Sequence, residues 1–236
     1  MASILIIESS TEICSVALTK DGKLIDMIES EAGQNHARLI TVFAEDLLKR
    51  NNIQPGELSA VAVSKGPGSY TGLRIGVSTA KGFCFANGIP LIAVGTLEAM
   101  AKHVVLNQSS YHLPENPSLL YCPMIDARRM EVYAAFYNGQ GVLQREISAD
   151  IITPDSYAEQ LENHPVYFFG NGADKCKSTL THPNARFIDQ LVPLAENMIA
   201  FGVKAFTEKR FADTAYFEPF YLKEFQTTAK PPKKLI

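Results

Sequence analysis

Apolar residues fall along this chain in short runs broken by turn formers, then in longer stretches with helical spacing, and the alternation occurs twice. Residues 3–10, 13–19 and 23–29 read as strands, with Asp21-Gly22 as the hairpin signal between the second and third. Residues 35–50 carry apolar side chains at Leu39, Ile40, Val42, Phe43, Leu47 and Leu48, a set wider than one narrow stripe, which leaves this helix room for burial on two sides. A Val- and Ala-containing run at 58–63 is a buried strand, and 71–87 is a helix capped by Ser69 or Thr71 and ended by Asn87-Gly88. A strand at 90–94 and the start of another helix at 95–100 complete an α/β layer with an antiparallel opening.

After a polar, proline-bearing link at 107–117 the pattern begins again. Strands are expected at 119–125, 131–137 and 142–147, with Asn138-Gly139 and Gly141 turning the last two. A short helix at 153–162 with Pro154 in its first turn, a strand at 166–169, a glycine loop at 170–174 and a final helix at 194–209 follow. Asp126-Ala-Arg-Arg129 stands between the first two strands of this half as Glu8 to Thr11 does in the other. Two halves that open alike predict a duplicated architecture with an abbreviated second part. Residues 1–106 would form the N-terminal lobe, 107–215 the C-terminal lobe, and 216–236 an extension or tail.

The stretch from Ser64 to Gly82 is the most distinctive. Strand, glycine loop and helix start is the geometry that turns backbone N–H groups toward an anion. Neither common phosphate motif fits: five residues separate Gly66 from Gly72, with Leu73-Arg74 where Walker A needs Lys-Ser/Thr, and Thr71 replaces the third glycine of the dinucleotide fingerprint. Gly72, Gly76, Ala80 and Cys84 share one helix face. Such a face either packs tightly on the chain's own sheet or admits a partner's backbone. The turn Glu8-Ser9-Ser10-Thr11 likewise has two readings: a hairpin turn whose hydroxyls satisfy local backbone, or a phosphate or metal loop working through Glu8, Ser9 and Ser10. His36 opens a helix with no His or carboxylate at metal spacing, so it reads as a surface or capping residue before a ligand.

Composition narrows the classes. A chain of 236 residues, 46% hydrophobic and 20% charged, is an ordinary folded protein. A net charge of −3 argues against gripping nucleic acid unaided, and Lys230, Lys233 and Lys234 read as a frayed, solubilising end. No apolar run reaches membrane-spanning length and no signal peptide is evident, so a cytoplasmic location is expected. Cys14, Cys84, Cys122 and Cys176 lack metal or redox spacing and are expected as reduced thiols.

Several segments together resemble the bacterial TsaB family, also called YeaZ, of tRNA threonylcarbamoyladenosine biosynthesis. They are Ile-Ile-Glu-Ser-Ser-Thr at 6–11, Gly-Pro-Gly-Ser-Tyr-Thr-Gly-Leu-Arg-Ile-Gly at 66–76, Val-Gly-Thr-Leu-Glu at 94–98 and Ile-Asp-Ala-Arg-Arg-Met-Glu-Val-Tyr at 125–133. Gly-Asn-Gly-Ala at 170–173 and Glu-Pro-Phe-Tyr-Leu-Lys at 218–223 carry the likeness nearly to the end. The resemblance implies an actin/hexokinase-like fold of duplicated ribonuclease H-like lobes. It further implies a non-catalytic subunit that pairs with the catalytic homologue TsaD, works with the ATPase TsaE, meets tRNA through that complex and forms a homodimer when alone. The pairing helices would be 35–50 and 71–87, with His36, Leu39, Ile40, Phe43, Leu47, Gly72, Leu73, Gly76, Val77 and Ala80 as partner-binding residues.

Vestigial nucleotide loops would be Glu8, Ser9, Ser10 and Thr11 with Gly170 and Gly172. No cofactor of its own is expected, and ATP or ADP with magnesium only weakly or at the complex interface. Thr96 and Met100 stand where the catalytic homologue has two metal-binding histidines, and hydroxyl and thioether are poor substitutes for imidazole. The family usually has Asp at the position of Glu8, whose longer side chain would displace a copied phosphate or magnesium site. Lys223 replaces a more usual Arg, keeping charge but losing bidentate geometry. An ATP-dependent phosphotransferase of the same fold is the alternative reading. A metallopeptidase, lacking the H-x-x-x-H and H-E-x-x-H pairs, ranks below both.

Overall fold

The structure is a computed structural model that describes residues 2–30, 35–114 and 116–223. Strands β1 (Ser3–Glu8), β2 (Cys14–Lys20) and β3 (Lys23–Ser30) form an antiparallel meander. Helix α1 (His36–Arg50), strand β4 (Ala60–Gly66), helix α2 (Tyr70–Asn87), strand β5 (Leu91–Gly95) and helix α3 (Thr96–Leu106) complete the first half. β4 joins β1 and β5 joins β4 in parallel, giving the order β3-β2-β1-β4-β5.

The second half repeats this plan with β6 (Leu120–Asp126), β7 (Glu131–Asn138), β8 (Leu143–Ile151), α4 (Ala158–Asn163), β9 (Val166–Phe169), β10 (Ala185–Ile188) and α5 (Ile199–Thr207). Its sheet order, β10-β9-β6-β7-β8, has the same connectivity read from the other end. This is the duplicated α/β arrangement of the actin/hexokinase type. The abbreviation lies in the helices: the 15 residues of α1 answer to 6 in α4, and the 18 of α2 to a single 3-10 turn at Asp174–Cys176.

Differences from the expected elements have local causes. The helix expected at 153–162 begins only at Ala158, because Tyr157 holds a positive φ of 63° and Ser156 Oγ accepts from Thr153 N in the preceding turn. The final helix starts as a 3-10 turn over Ala195–Met198 before α5. Strand β10 was not expected, since its four residues are too brief to stand out from loop.

Both faces of the first sheet are covered, which is why β1 shows no polar alternation. Leu5, Ile7, Val61 and Val63 pack under Ile40 and Leu47 of α1 and Val77 and Ala80 of α2. Ile4, Ile6, Ala62 and Ile92, on the other face, pack against Met198 and Ala205 of the final helical segment. In return α3 places Leu97, Met100 and Val104 on Tyr121, Tyr137 and Phe169 of the second sheet. Each half therefore contributes a helix to the other's core. The outer face of the second sheet closes on Tyr157, Leu161 and Leu180.

The described part of the expected tail, with the residues before it, is docked on the first half. Ala212 N donates to Leu91 O at 2.8 Å, Lys81 Nζ to the carbonyls of Ala215 and Phe217, and Phe220 N to Lys65 O at 2.7 Å. The Tyr221 ring then lies 4.4 Å from that of Tyr70, at the start of α2. Lys230, Lys233 and Lys234 lie outside the described residues.

The small-residue row of α2 faces inward. Ser9 Oγ donates to Gly72 O at 2.9 Å and Ser69 N to Ser10 O at 2.6 Å, so the β1–β2 turn sits directly on the helix. A Cβ at Gly72 would collide with Ser9 O, and one at Gly76 with Ser9 Oγ. Ala80 and Cys84 continue the row into the core. Of the two readings of this face, packing on the chain's own strand is the one the structure holds. Gly76→Ala gains ~1 kcal/mol of helix propensity but overpacks a closed site, which costs about 1–3 kcal/mol. We expect Gly76→Leu to abolish cooperative thermal unfolding and Gly76→Ala to lower its midpoint. Ser9→Ala should partly restore the midpoint of Gly76→Ala, and no rescue would show that Ser9 is not the obstacle.

Candidate functional site

Chain chemistry gathers where the first strand of each half ends. In the first half, Glu8 is 1% exposed, Ser9 and Ser10 are fully buried, and Thr11 is buried as well. Ser10 N donates to Glu8 Oε1 at 2.6 Å, and Ser9 N to Ser64 Oγ at 3.3 Å. His36 Nε2 lies 3.0 Å from Thr11 O, an acceptor, so the ring donates there and ties the start of α1 to the same turn. His36 is thus a buried bracket rather than a surface cap. The arrangement fastens β1, α1 and α2 together, and its carboxylate and hydroxyls face protein.

In the second half, Gly170 and Gly172 wrap the end of β6 in the corresponding way. Gly172 N donates to Met124 O at 3.1 Å. Gly170 has φ +104°, and a Cβ there would strike the Met124 carbonyl. Asn171 Oδ1 accepts from Asp126 N at 3.3 Å. Beyond it Asp126 Oδ1 accepts from Arg128 N and from Lys175 Nζ, both at 2.6 Å, and Lys175 also donates to the carbonyls of Arg129 and Glu131 at 2.7 Å. Lys223 pairs with Glu131 and so ties the docked C-terminal segment to this loop. The lysine clamp and Lys223 were not anticipated as a unit, because 49 residues separate Lys175 from Asp126 in the chain.

Thr96 and Met100 are buried at the start of α3, where the Met100 Cε fills the space beside Gly170. Thr96 Oγ1 has no hydrogen-bond partner among the described residues. No group of three or more His, Cys, Asp or Glu able to hold a metal occurs among the described residues. Within the same residues no helix is long and apolar enough to cross a membrane.

The expected partner-binding residues divide in two. His36, Ile40, Leu47, Gly72, Leu73, Gly76, Val77 and Ala80 are buried within the chain, so they form the inner faces of α1 and α2 and not an exposed contact surface. Helical phase rotates the accessible face toward other residues. Leu39 and Phe43 are only partly buried, as is Ile75 of α2. Val42 is 39% and Phe85 86% exposed, and Gly82 has nothing near its Cβ position. Exposed Phe85 was legible in principle as an aromatic off the small-residue face of its helix.

Burial raises the Glu8 carboxyl above its ordinary 4.5, opposed by the hydrogen bonds from Ser10, Ser64 and Ser9. The folded chain therefore keeps this proton to a higher pH than the unfolded chain. Its stabilising effect is complete below 4.5 and is lost as pH rises through the elevated folded value. Glu8→Gln should accordingly gain in unfolding midpoint over the parent chain between pH 4 and pH 8. A difference that stays constant with pH in thermal scans would rule out this burial effect.

Comparison with known proteins accords with this geometry. Residues 27–226 match the family described as TsaD, tRNA N6-adenosine threonylcarbamoyltransferase. The tRNA threonylcarbamoyladenosine biosynthesis protein TsaB of Haemophilus influenzae is 29% identical over 239 residues, covering 98% of this chain and 97% of that one. The Bacillus subtilis protein of the same name is 31% identical over 172 residues, 72% of this chain and 71% of its own length. Among solved structures, YeaZ from Pseudomonas aeruginosa superposes with a TM-score of 0.77 at 27% identity, covering 94% of this chain and all of that one. With the glycine loop at 66–76, the Ser9 seat and the Asp126–Glu131 loop in one duplicated fold, the chain belongs to the TsaB (YeaZ) family of tRNA threonylcarbamoyladenosine biosynthesis proteins.

Proposed function

We propose that this chain is a non-catalytic, partner-activating subunit of the complex that forms threonylcarbamoyladenosine in tRNA. It pairs with a TsaD-type catalytic homologue and supports threonylcarbamoyl transfer to the adenosine beside the anticodon. The outer faces of α1 and α2 carry this reading. Phe85 stands 86% exposed, with Val42 exposed on the neighbouring helix and Leu39, Phe43 and Ile75 partly open. A contiguous apolar patch on the surface marks a protein contact, and in this reading these side chains of the two neighbouring helices supply it. When no homologue is present, the same faces pair two copies of the chain.

The donor set supports a supporting role over a catalytic one. At α3 a hydroxyl and a thioether stand in place of two imidazoles, and Met100 is fully buried against the second sheet. The Glu8 carboxylate and the Ser9 hydroxyl are engaged by the chain's own backbone, while the buried Ser10 hydroxyl has no hydrogen-bond partner among the described residues. With the turn closed in this way, nucleotide with magnesium is placed at a complex interface in this reading. The TsaE-type ATPase and tRNA are met through the assembled complex, in the cytoplasm.

The test is reconstitution with the TsaD-type and TsaE-type proteins of the same organism, following threonylcarbamoyl transfer from its adenylate to tRNA. Transfer should depend on the chain, and the chain alone should do nothing. Val42→Asp with Phe85→Asp should leave the unfolding midpoint unchanged. It should weaken pairing at least ~30-fold, the equivalent of a 2 kcal/mol contact residue. Equal transfer without the chain, or undiminished pairing by the double variant, would overturn the reading.

A further inference from the structure

The loop between β6 and β7 carries a feature that the pairing role does not use. Arg128 and Arg129 occupy consecutive left-handed conformations, with φ of 68° and 47°. For side chains other than glycine this is costly, by about 1–3 kcal/mol per residue, and the structure meets that cost with a dedicated brace. Lys175 reaches the Asp126 carboxylate and the carbonyls of Arg129 and Glu131, Asn171 receives Asp126 N, and Lys223 neutralises Glu131. Both carboxylates of the loop are thereby paired with lysines. The guanidinium groups of Arg128 and Arg129 are exposed and make no hydrogen bond or ion pair among the described residues.

The surroundings are aromatic, and their lysines are offset by Asp126 and Glu131, which leaves the two arginines as the unpaired charge of the loop. Tyr133 lies within electrostatic reach of Lys223, Glu131 and Arg128. From Lys223 the edge continues through Tyr221 to Tyr70, over whose ring Arg74 lies at 5.6 Å. Arg128, Arg129 and Arg74 stand here among tyrosine rings, with Lys223 paired to Glu131 and Glu218 near Tyr221, on a chain whose net charge is −3. A guanidinium presents a planar fork that matches phosphate oxygens, and aromatic rings beside it stack on bases. A local positive stripe on an otherwise acidic chain concentrates field on one polyanionic ligand.

We propose that Arg128 and Arg129, held outward by the Lys175 clamp, contact backbone phosphates of the tRNA while it is bound to the assembled complex. This rests on the tRNA-modification reading above and adds to it a direct RNA contact by this subunit. The contact positions the RNA and carries no sequence information, as phosphate contacts do.

The test uses Arg128→Asn with Arg129→Asn, since asparagine tolerates the left-handed backbone. The parent and variant chains, each paired with the catalytic homologue, are titrated against a full-length tRNA transcript bearing adenosine 3′ to its anticodon, at several salt concentrations. Affinity should fall roughly tenfold, and the slope of log K against log salt should lessen by about one per arginine. Pairing and unfolding midpoint should not change. Unaltered affinity and slope would overturn the proposal. So would a variant that loses pairing while the surviving complexes bind RNA as before, since the arginines would then face protein. Should the parent chain itself fail to pair, the functional reading fails, and the same titration on the chain alone still decides whether the arginines hold RNA.

Discussion

The close approach of Ser9 to the small face of α2 is the constraint on which the rest of the first half depends. β1 is the central strand of its sheet, and Ser9, Ser10 and Thr11 in the turn that follows it are buried. That turn can be buried only because Gly72 and Gly76 present no side chain where Ser9 arrives. Once seated, it accepts from the backbone N–H of Ser69, donates through Ser9 Oγ to Gly72 O, and offers the Thr11 carbonyl to His36. One contact therefore orients both long helices, and their apolar outer faces follow from it.

The two halves treat the same position oppositely. In the first, an 18-residue helix covers the turn after the opening strand, and charge and hydroxyls are sealed inside. In the second, only the 3-10 turn Asp174–Cys176 stands in that place, too short to cover the loop after β6. What it supplies instead is Lys175, which holds the loop from one side and leaves Arg128 and Arg129 in solvent. Shortening a helix has turned a closed structural joint into an open, charged edge.

Rigidity between the halves comes from exchange. α3 completes the second core and the segment around α5 completes the first, while residues 212–223 run back along α2 to Glu131. The four cysteines are free and buried within these cores, and burial pushes the Cys84 and Cys176 thiols up to about 11. Thiols so protonated pack as small apolar groups and are poor nucleophiles.

Period and punctuation in the sequence by themselves determined the element order apart from the short strand β10, together with the duplication and its abbreviated second half. Those signals are local: alternation, helical spacing, caps such as Ser69, and turn pairs such as Asp21-Gly22 act within a few residues. The glycine row was legible as a close-packing face, but whether strand or partner met it was not, because a periodic row records small volume and not the identity of its neighbour. Tertiary structure decided that Ser9 fills it, that Phe85 and Val42 are exposed on α2 and α1, and that Glu8 is buried. It alone brought Lys175 to Asp126 and Lys223 to Glu131, 49 and 92 residues apart. Such pairings depend on how the sheets and their connecting segments are placed in space, and no pattern shorter than the whole fold encodes that.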